Sequence, residues 1–204
     1  MIILDTCTVI KCFDFSKNWN DNLYKKCPSR KIVWDKKPDL ELYGLGKSTA
    51  KYNGYRNRLH RSANILMFDI DKDLSSSEFI DFISHINDIK KNDCTLLLID
   101  LNSKSQKFSL AELKENGKKR LSDVDIELIA LSLTKPNTIL ASDDNRILTL
   151  TETFYAAQAF CCSAKILEKT NNITCQKELK KQLTSKKIYY SEIRYKRNNL
   201  NLCK

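Results

Sequence analysis

The stretch Ile2-Ile3-Leu4-Asp5-Thr6-Cys7 is a short apolar run that ends on an acid. Apolar residues in succession, without alternation, read as a strand buried on both faces, the habit of a parallel sheet. Ile139-Leu140-Ala141-Ser142-Asp143-Asp144 has the same form, an apolar run closed by carboxylates. Between them, Leu121-Ser122-Asp123-Val124-Asp125-Ile126-Glu127-Leu128 reads as the start of a helix. Ser122 is a natural N-cap, and Asp125 stands where the reciprocal partner of a capping box belongs. Acids at the ends of neighbouring parallel strands converge in the crevice where α/β proteins place their sites. Carboxylates without His or Cys partners suit a hard cation, Mg²⁺ or Mn²⁺. The expectation is a metal-dependent enzyme acting on phosphate.

Outward from these stretches, strands and helices alternate. Thr6 onward starts a helix with Val9, Ile10 and Phe13 on its inner face. Residues 16–31 are polar, carry Cys27-Pro28 and read as a loop. Ile32-Val33-Trp34 is a brief strand, and Pro38-Asp39-Leu40-Glu41-Leu42 opens a helix. Ile65–Ile70 and Cys94–Leu101 are strand-like, and Ser77–Lys91 has a helical period. Leu110–Glu115 reads as a short helix stopped by Asn116-Gly117. The helix after Ser122 runs to Pro136, and Thr138–Ser142 is a strand. Arg146–Gln158 reads as a helix, Phe160–Ser163 as a strand and Lys165–Glu168 as a turn or short helix. Such alternation predicts an α/β fold on a mainly parallel sheet.

The chain has 204 residues and a net charge of +10, and 42% of its residues are hydrophobic, enough for a packed core. From Gln176 to Lys204, nine Lys or Arg face two acids, so this segment holds +7 of the total. A basic tail on a nearly balanced domain points to a polyanionic partner, or serves solubility. No apolar run approaches the roughly 18 residues of a membrane span, and no secretory signal is visible. The 8 cysteines include no zinc-type CxxC pair and read as buried thiols of a reducing cytoplasm.

These residues carry a resemblance. Leu4-Asp5-Thr6-Cys7, the Leu121–Asp125 stretch with its following helix, and Ser142-Asp143-Asp144 resemble, in order, the three acidic motifs of the PIN-domain nucleases. The pattern of Arg146–Leu167 is similar to the family's closing helix and strand. The resemblance implies a three-layer α/β/α fold over residues 1–170, with a longer variable middle from about 44 to 99. Residues 171–204 are then a basic C-terminal extension. It implies a Mg²⁺- or Mn²⁺-dependent endoribonuclease of toxin, defence or RNA-processing type. Metal-activated water would leave 5′-phosphate and 3′-hydroxyl ends. It assigns the catalytic acids to Asp5, Asp125 and Asp144, with Asp143 a neighbouring ligand and Glu41 or Glu78 the family's early-helix acid. The three main acids are expected to share one divalent ion. An antitoxin or other protein partner, a homodimer and a cytoplasmic location are further implications.

Other readings stay open. Asp5 alone is a candidate helix cap, Asp125 a first-turn acid complementing the helix dipole, and Asp143-Asp144 a turn. Lys51, Tyr52, Tyr55, Arg56, Arg58 and Arg61 interleave bases with aromatics. They form either an RNA-binding surface, with phosphate pairing and base stacking, or a loop whose tyrosines pack on the core. Ile65–Asp71 resembles the first motif of haloacid-dehalogenase-type phosphatases, with Asp69 as nucleophile and Asp71 as general acid/base. A non-catalytic PIN-like RNA-binding or scaffold module is a third reading, and DNA is an alternative substrate to RNA.

Overall fold

In a computed structural model, the structure describes residues 1–73, 76–92, 122–144, 146, 147, 150, 151, 155, 159–190, 195 and 202. The expected strand at 94–101, the helix at 110–115 and Leu121 lie outside the described residues, as does most of 146–158. Two compact units are present. The first comprises Met1–Asp69, Ile139–Asp143 and Ala159–Lys204; the second comprises Ile70–Thr138 and Asp144–Gln158.

Among the described residues, the first unit is built on a central five-stranded, all-parallel sheet, so the α/β fold class is the observed one. Its strands are β1 (Ile2–Leu4), β2 (Ile32–Asp35), β3 (Ile65–Phe68), β4 (Ile139–Ala141) and β5 (Ala159–Cys161). Their order is β3-β2-β1-β4-β5. The chain therefore builds outward from β1 to β3, then returns to the other side of β1. The reversal falls between β1 and β4, whose register pairs Leu4 with Ala141. β1 and β4 are buried along their whole length, as unbroken apolar runs demand.

The unit's helices are α1 (Thr6–Phe15), α2 (Trp19–Lys26), α3 (Lys36–Gly46) and α4 (Ala50–Arg61), with α8 (Ser163–Thr170) and α9 (Gln176–Ser185) near the C-terminus. α1 follows the Val9 and Phe13 stripe, and both side chains are buried. α2 replaces the loop expected at 16–31: Trp19 and Leu23, four residues apart, are fully buried and fold the polar stretch around them. α3 starts two residues before Pro38; Asp35 caps it by accepting from Lys37 N at 2.8 Å, and Pro38 falls in the first turn, where no N–H is required. Gly46 lets the next helix come close, since a Cβ there would run into the Asn53 side chain. The C-terminal segment is part of the core: Leu179, Leu183, Ile188, Tyr195 and Leu202 join the cluster that holds Ile2, Leu4, Trp19 and Trp34.

The second unit contains the short α5 (Ile70–Asp73), α6 (Ser77–Asn92) and α7 (Asp123–Thr134). α6 packs on α7, and Phe79, Ile86 and Ile89 are buried at helical spacing. Ser122 and Asp125 form the full capping box read from the sequence.

Cys7, Cys12, Cys161, Cys162 and Cys175 are free thiols, but Cys27 is disulfide-bonded, which corrects the reading of all cysteines as thiols. Cys175 is exposed. Among the described residues no helix is long and apolar enough to cross a membrane.

One buried charge locks α3 to α4. Asp39 is 4% exposed. It accepts from Arg56 Nε at 2.8 Å and Trp34 Nε1 at 3.1 Å and pairs with His60 Nε2 at 2.7 Å. Burial pushes its carboxyl up, but the bonds from Arg56, His60 and Trp34 outweigh it and hold the group below its usual value. Asp39→Ala leaves these donors without their acceptor and should cost about 3 kcal/mol in urea unfolding at neutral pH. Because the folded value is the lower one, the stabilisation is present above the unfolded value and disappears as pH falls through the folded one. The gap in stability between wild type and variant should begin to narrow only as pH falls below about 4, and should go on narrowing as pH falls through the lower folded value.

Candidate carboxylate centre

Asp5 follows β1 at the N-cap position of α1. Its side chain makes no capping bond, so the cap reading does not describe it. Instead Asp5 Oδ2 accepts from Ser142 Oγ at 2.8 Å and from Cys7 Sγ at 2.6 Å. The backbone places it there: Asp5 N donates to Ala141 O at 3.0 Å, extending the β1–β4 ladder by one step. Asp143, two residues past β4, is the second carboxylate at this end of the sheet. Its Oδ2 receives Ser163 N at 3.3 Å and Thr8 Oγ1 at 3.4 Å, with Lys11 Nζ at 3.6 Å. Asp5 is 5% and Asp143 7% exposed. Both therefore stand beyond the carboxyl ends of adjacent parallel strands, at the point where strand order reverses.

Glu41, on α3, is exposed and accepts from Thr6 Oγ1 at 2.7 Å. Thr6 is the residue after Asp5, so one hydroxyl ties the expected early acid to the start of α1. Glu78 is an exposed first-turn residue of α6 in the second unit.

Asp125 and Asp144 belong to the second unit. Asp125 Oδ2 accepts from Ser122 N at 2.9 Å, the cap bond expected of a first-turn acid. Burial pushes its carboxyl above the usual value; the bonds with Ser122 oppose this and the Asp144 charge adds to it. Asp144 Oδ1 accepts from Arg146 N and from Arg146 Nε, each at 2.8 Å, and Oδ2 pairs with the same guanidinium. The bond to the amide two residues on is an Asx turn, one of the readings open for this pair of acids.

Residues that sequence reasoning did not single out complete the centre. Thr8 and Lys11 share a face of α1, and Ser163 N is the first amide of α8. No spacing rule links them to Asp143; only the sheet order brings β1, β4 and β5 side by side. Cys7 is a thiol at the centre, and burial, with the charges of Asp5 and Asp143, raises its pKa well above the ordinary range.

The basic-aromatic stretch is α4. Tyr52 and Tyr55 pack against the core, and Tyr55 stacks on Phe13 with ring centroids 4.8 Å apart. Its hydroxyl bonds Asp14, and Lys51 Nζ pairs with Asp14 at 2.6 Å. Arg56 is committed to Asp39. Arg58 and Arg61 are exposed, Arg58 reaching Lys17 O at 3.4 Å. Asp69 follows β3, an edge strand of the described sheet, and pairs with Lys36 at 3.4 Å; Asp71 is exposed. An edge strand lies away from the reversal between β1 and β4, so the phosphatase motif does not occupy the crevice position.

Asp5 and Asp143, with the hydroxyls of Ser142 and Thr8, are a hard oxygen set, and Mg²⁺ or Mn²⁺ takes one or two carboxylates beside waters and phosphate. Among the described residues no group of three or more His, Cys, Asp or Glu side chains stands ready to hold a metal ion. Compared with protein-family models, curated proteins and solved structures, the chain has no match.

Proposed function

We propose that this chain is a PIN-like endoribonuclease, a Mg²⁺- or Mn²⁺-dependent phosphodiester hydrolase with Asp5 and Asp143 as its ion-holding carboxylates. The observation that carries the reading is the pair of buried acids beyond adjacent parallel strands where the strand order reverses. Buried carboxylates at the same end of adjacent strands favour a cation beside them. Such a cation supplies Lewis-acid chemistry, polarising a phosphate and lowering the pKa of water. The chain's own groups orient the acids: Ser142 and Cys7 hold Asp5, while Thr8 and the Ser163 amide hold Asp143. Lys11 is the charge at the centre suited to a phosphate oxygen. The net charge of +10 favours a polyanionic substrate. The roles that the resemblance gives Asp125, Asp144 and Glu41 belong to this proposal and are tested one at a time by Asn or Gln substitution.

The test is incubation of purified protein with single-stranded RNA, DNA and a generic phosphomonoester, each with Mn²⁺, Mg²⁺ or EDTA. RNA cleavage that EDTA stops, with 5′-phosphate products, is the expected result. Turnover of the monoester alone, lost in Asp69→Asn, would instead establish the phosphatase. RNA binding without cleavage would make the chain a binding module, and equal cleavage of DNA would widen the substrate class.

Exposed lysines of α9 and the turn after it supply a second check. Replacing Lys180, Lys181 and Lys187 by Gln leaves Leu179 and Leu183 in place. For each of these lysines that neutralises a phosphate, the slope of log affinity against log salt should flatten by about 0.7 for single strands. Sequence preference should not change, since phosphate contacts position rather than specify. Binding titrations at several ionic strengths read both quantities.

A further inference from the structure

The first unit also carries a cavity of about 430 Å³ with a cationic lining. Lys26 reaches it from the last turn of α2, Lys165 and Lys169 from α8, and Asn172 and Thr174 from the loop after α8. Only five residues separate Lys26 from the start of β2. The cavity thus belongs to the end of the sheet where strands begin, whereas Asp5 and Asp143 stand where strands end.

A lysine in the last turn of a helix complements the helix dipole. That accounts for Lys26 on α2 and Lys169 on α8, each taken alone. It does not account for their meeting a third lysine at one cavity, because like charges gathered together repel. Glu168 is the lone carboxylate among the described lining residues, and it is already engaged. It accepts from the Tyr195 hydroxyl and pairs with Lys165 at 3.4 Å. Lys165 Nζ also lies 3.8 Å from the centroid of the Tyr195 ring, so this ammonium is held by two neighbours. Lys26 and Lys169 are exposed at the same cavity, beside the amide of Asn172 and the hydroxyl of Thr174. Ile173 and Leu202 add apolar lining.

We infer that this cavity binds a free nucleotide, with its di- or triphosphate on Lys26 and Lys169 and its base against Ile173 and Leu202. Ammonium groups take phosphate as point charges, and several of them suit an oligophosphate better than a single carboxylate. The volume falls in the range of small-molecule sites. The inference is independent of the hydrolase reading, because none of the carboxylate-centre residues lines the cavity.

Isothermal titration of the full chain with ATP, pyrophosphate and adenosine tests it, in EDTA and at matched ionic strength. EDTA removes any cation-mediated phosphate binding elsewhere. The expected result is saturable one-to-one binding of ATP and pyrophosphate, with ATP the tighter and adenosine much weaker than both. The double change Lys26→Ala and Lys169→Ala should weaken ATP by at least about tenfold, the effect of one missing charged hydrogen bond. Lys26→Arg with Lys169→Arg should retain it, and Asp5→Asn should leave it unchanged. Should the double alanine variant fail to fold, Lys169→Gln alone, at an exposed position, gives the same comparison. No saturable binding of either phosphate probe, or equal ATP affinity in wild type and the lysine variants, would overturn the assignment. Loss of binding in Asp5→Asn would move the ligand to the carboxylate centre and overturn it as well.

Discussion

Asp5→Asn should lower RNA cleavage by more than about a thousandfold, equivalent to roughly 4 kcal/mol of transition-state stabilisation. The substitution keeps the shape and an oxygen able to accept from Ser142 and Cys7, the two donors that hold Asp5 now. It removes the charge that an ion requires. The fold should be retained, and thermal stability should hold or rise, because a neutral amide replaces an acidic group that is 5% exposed. Circular dichroism and the melting temperature check the second half of this expectation, and cleavage of labelled RNA checks the first. A variant as active as wild type would remove Asp5 from the chemistry whatever its position.

Deletion of residues 176–204 should abolish folding of the first unit. The segment reads as a basic appendage, and charge alone would predict a mild effect confined to binding. The structure gives it five buried apolar side chains, Leu179, Leu183, Ile188, Tyr195 and Leu202, in the cluster that covers the sheet. At about 2 kcal/mol each, their loss approaches 10 kcal/mol, comparable to the whole stability of a domain. The expected outcome is insoluble protein, or a chain without a cooperative thermal transition. A soluble truncated protein with an unchanged melting temperature would show that the core does not need this segment.

The two cases show what the sequence makes legible. β1 and β4 are readable because an unbroken apolar run closed by an acid suits a buried parallel strand and little else, and the capping box of Ser122 and Asp125 is a local chemical signal. α2 is hidden because its burial rests on Trp19 and Leu23, within a run too polar to show a stripe. α9 is masked by its lysines: they are exposed, and only Leu179 and Leu183, one turn apart, mark the inner face. α4 carries one fully buried residue, Leu59, so its charges and tyrosines dominate any reading. The partners of Asp143 are illegible for another reason. Thr8, Lys11 and Ser163 are ordinary residues that become neighbours of one carboxylate only after the sheet places β1, β4 and β5 together.

A divalent cation held by Asp5 and Asp143 is the core of the proposed activity. Electron paramagnetic resonance of free Mn²⁺, followed as protein is added, measures this directly. Wild-type protein should deplete the free signal with saturable stoichiometry, and Asp5→Asn and Asp143→Asn should each leave it close to that of buffer. Folded wild-type protein that leaves the Mn²⁺ signal untouched, or variants that bind the ion as wild type does, would contradict the account.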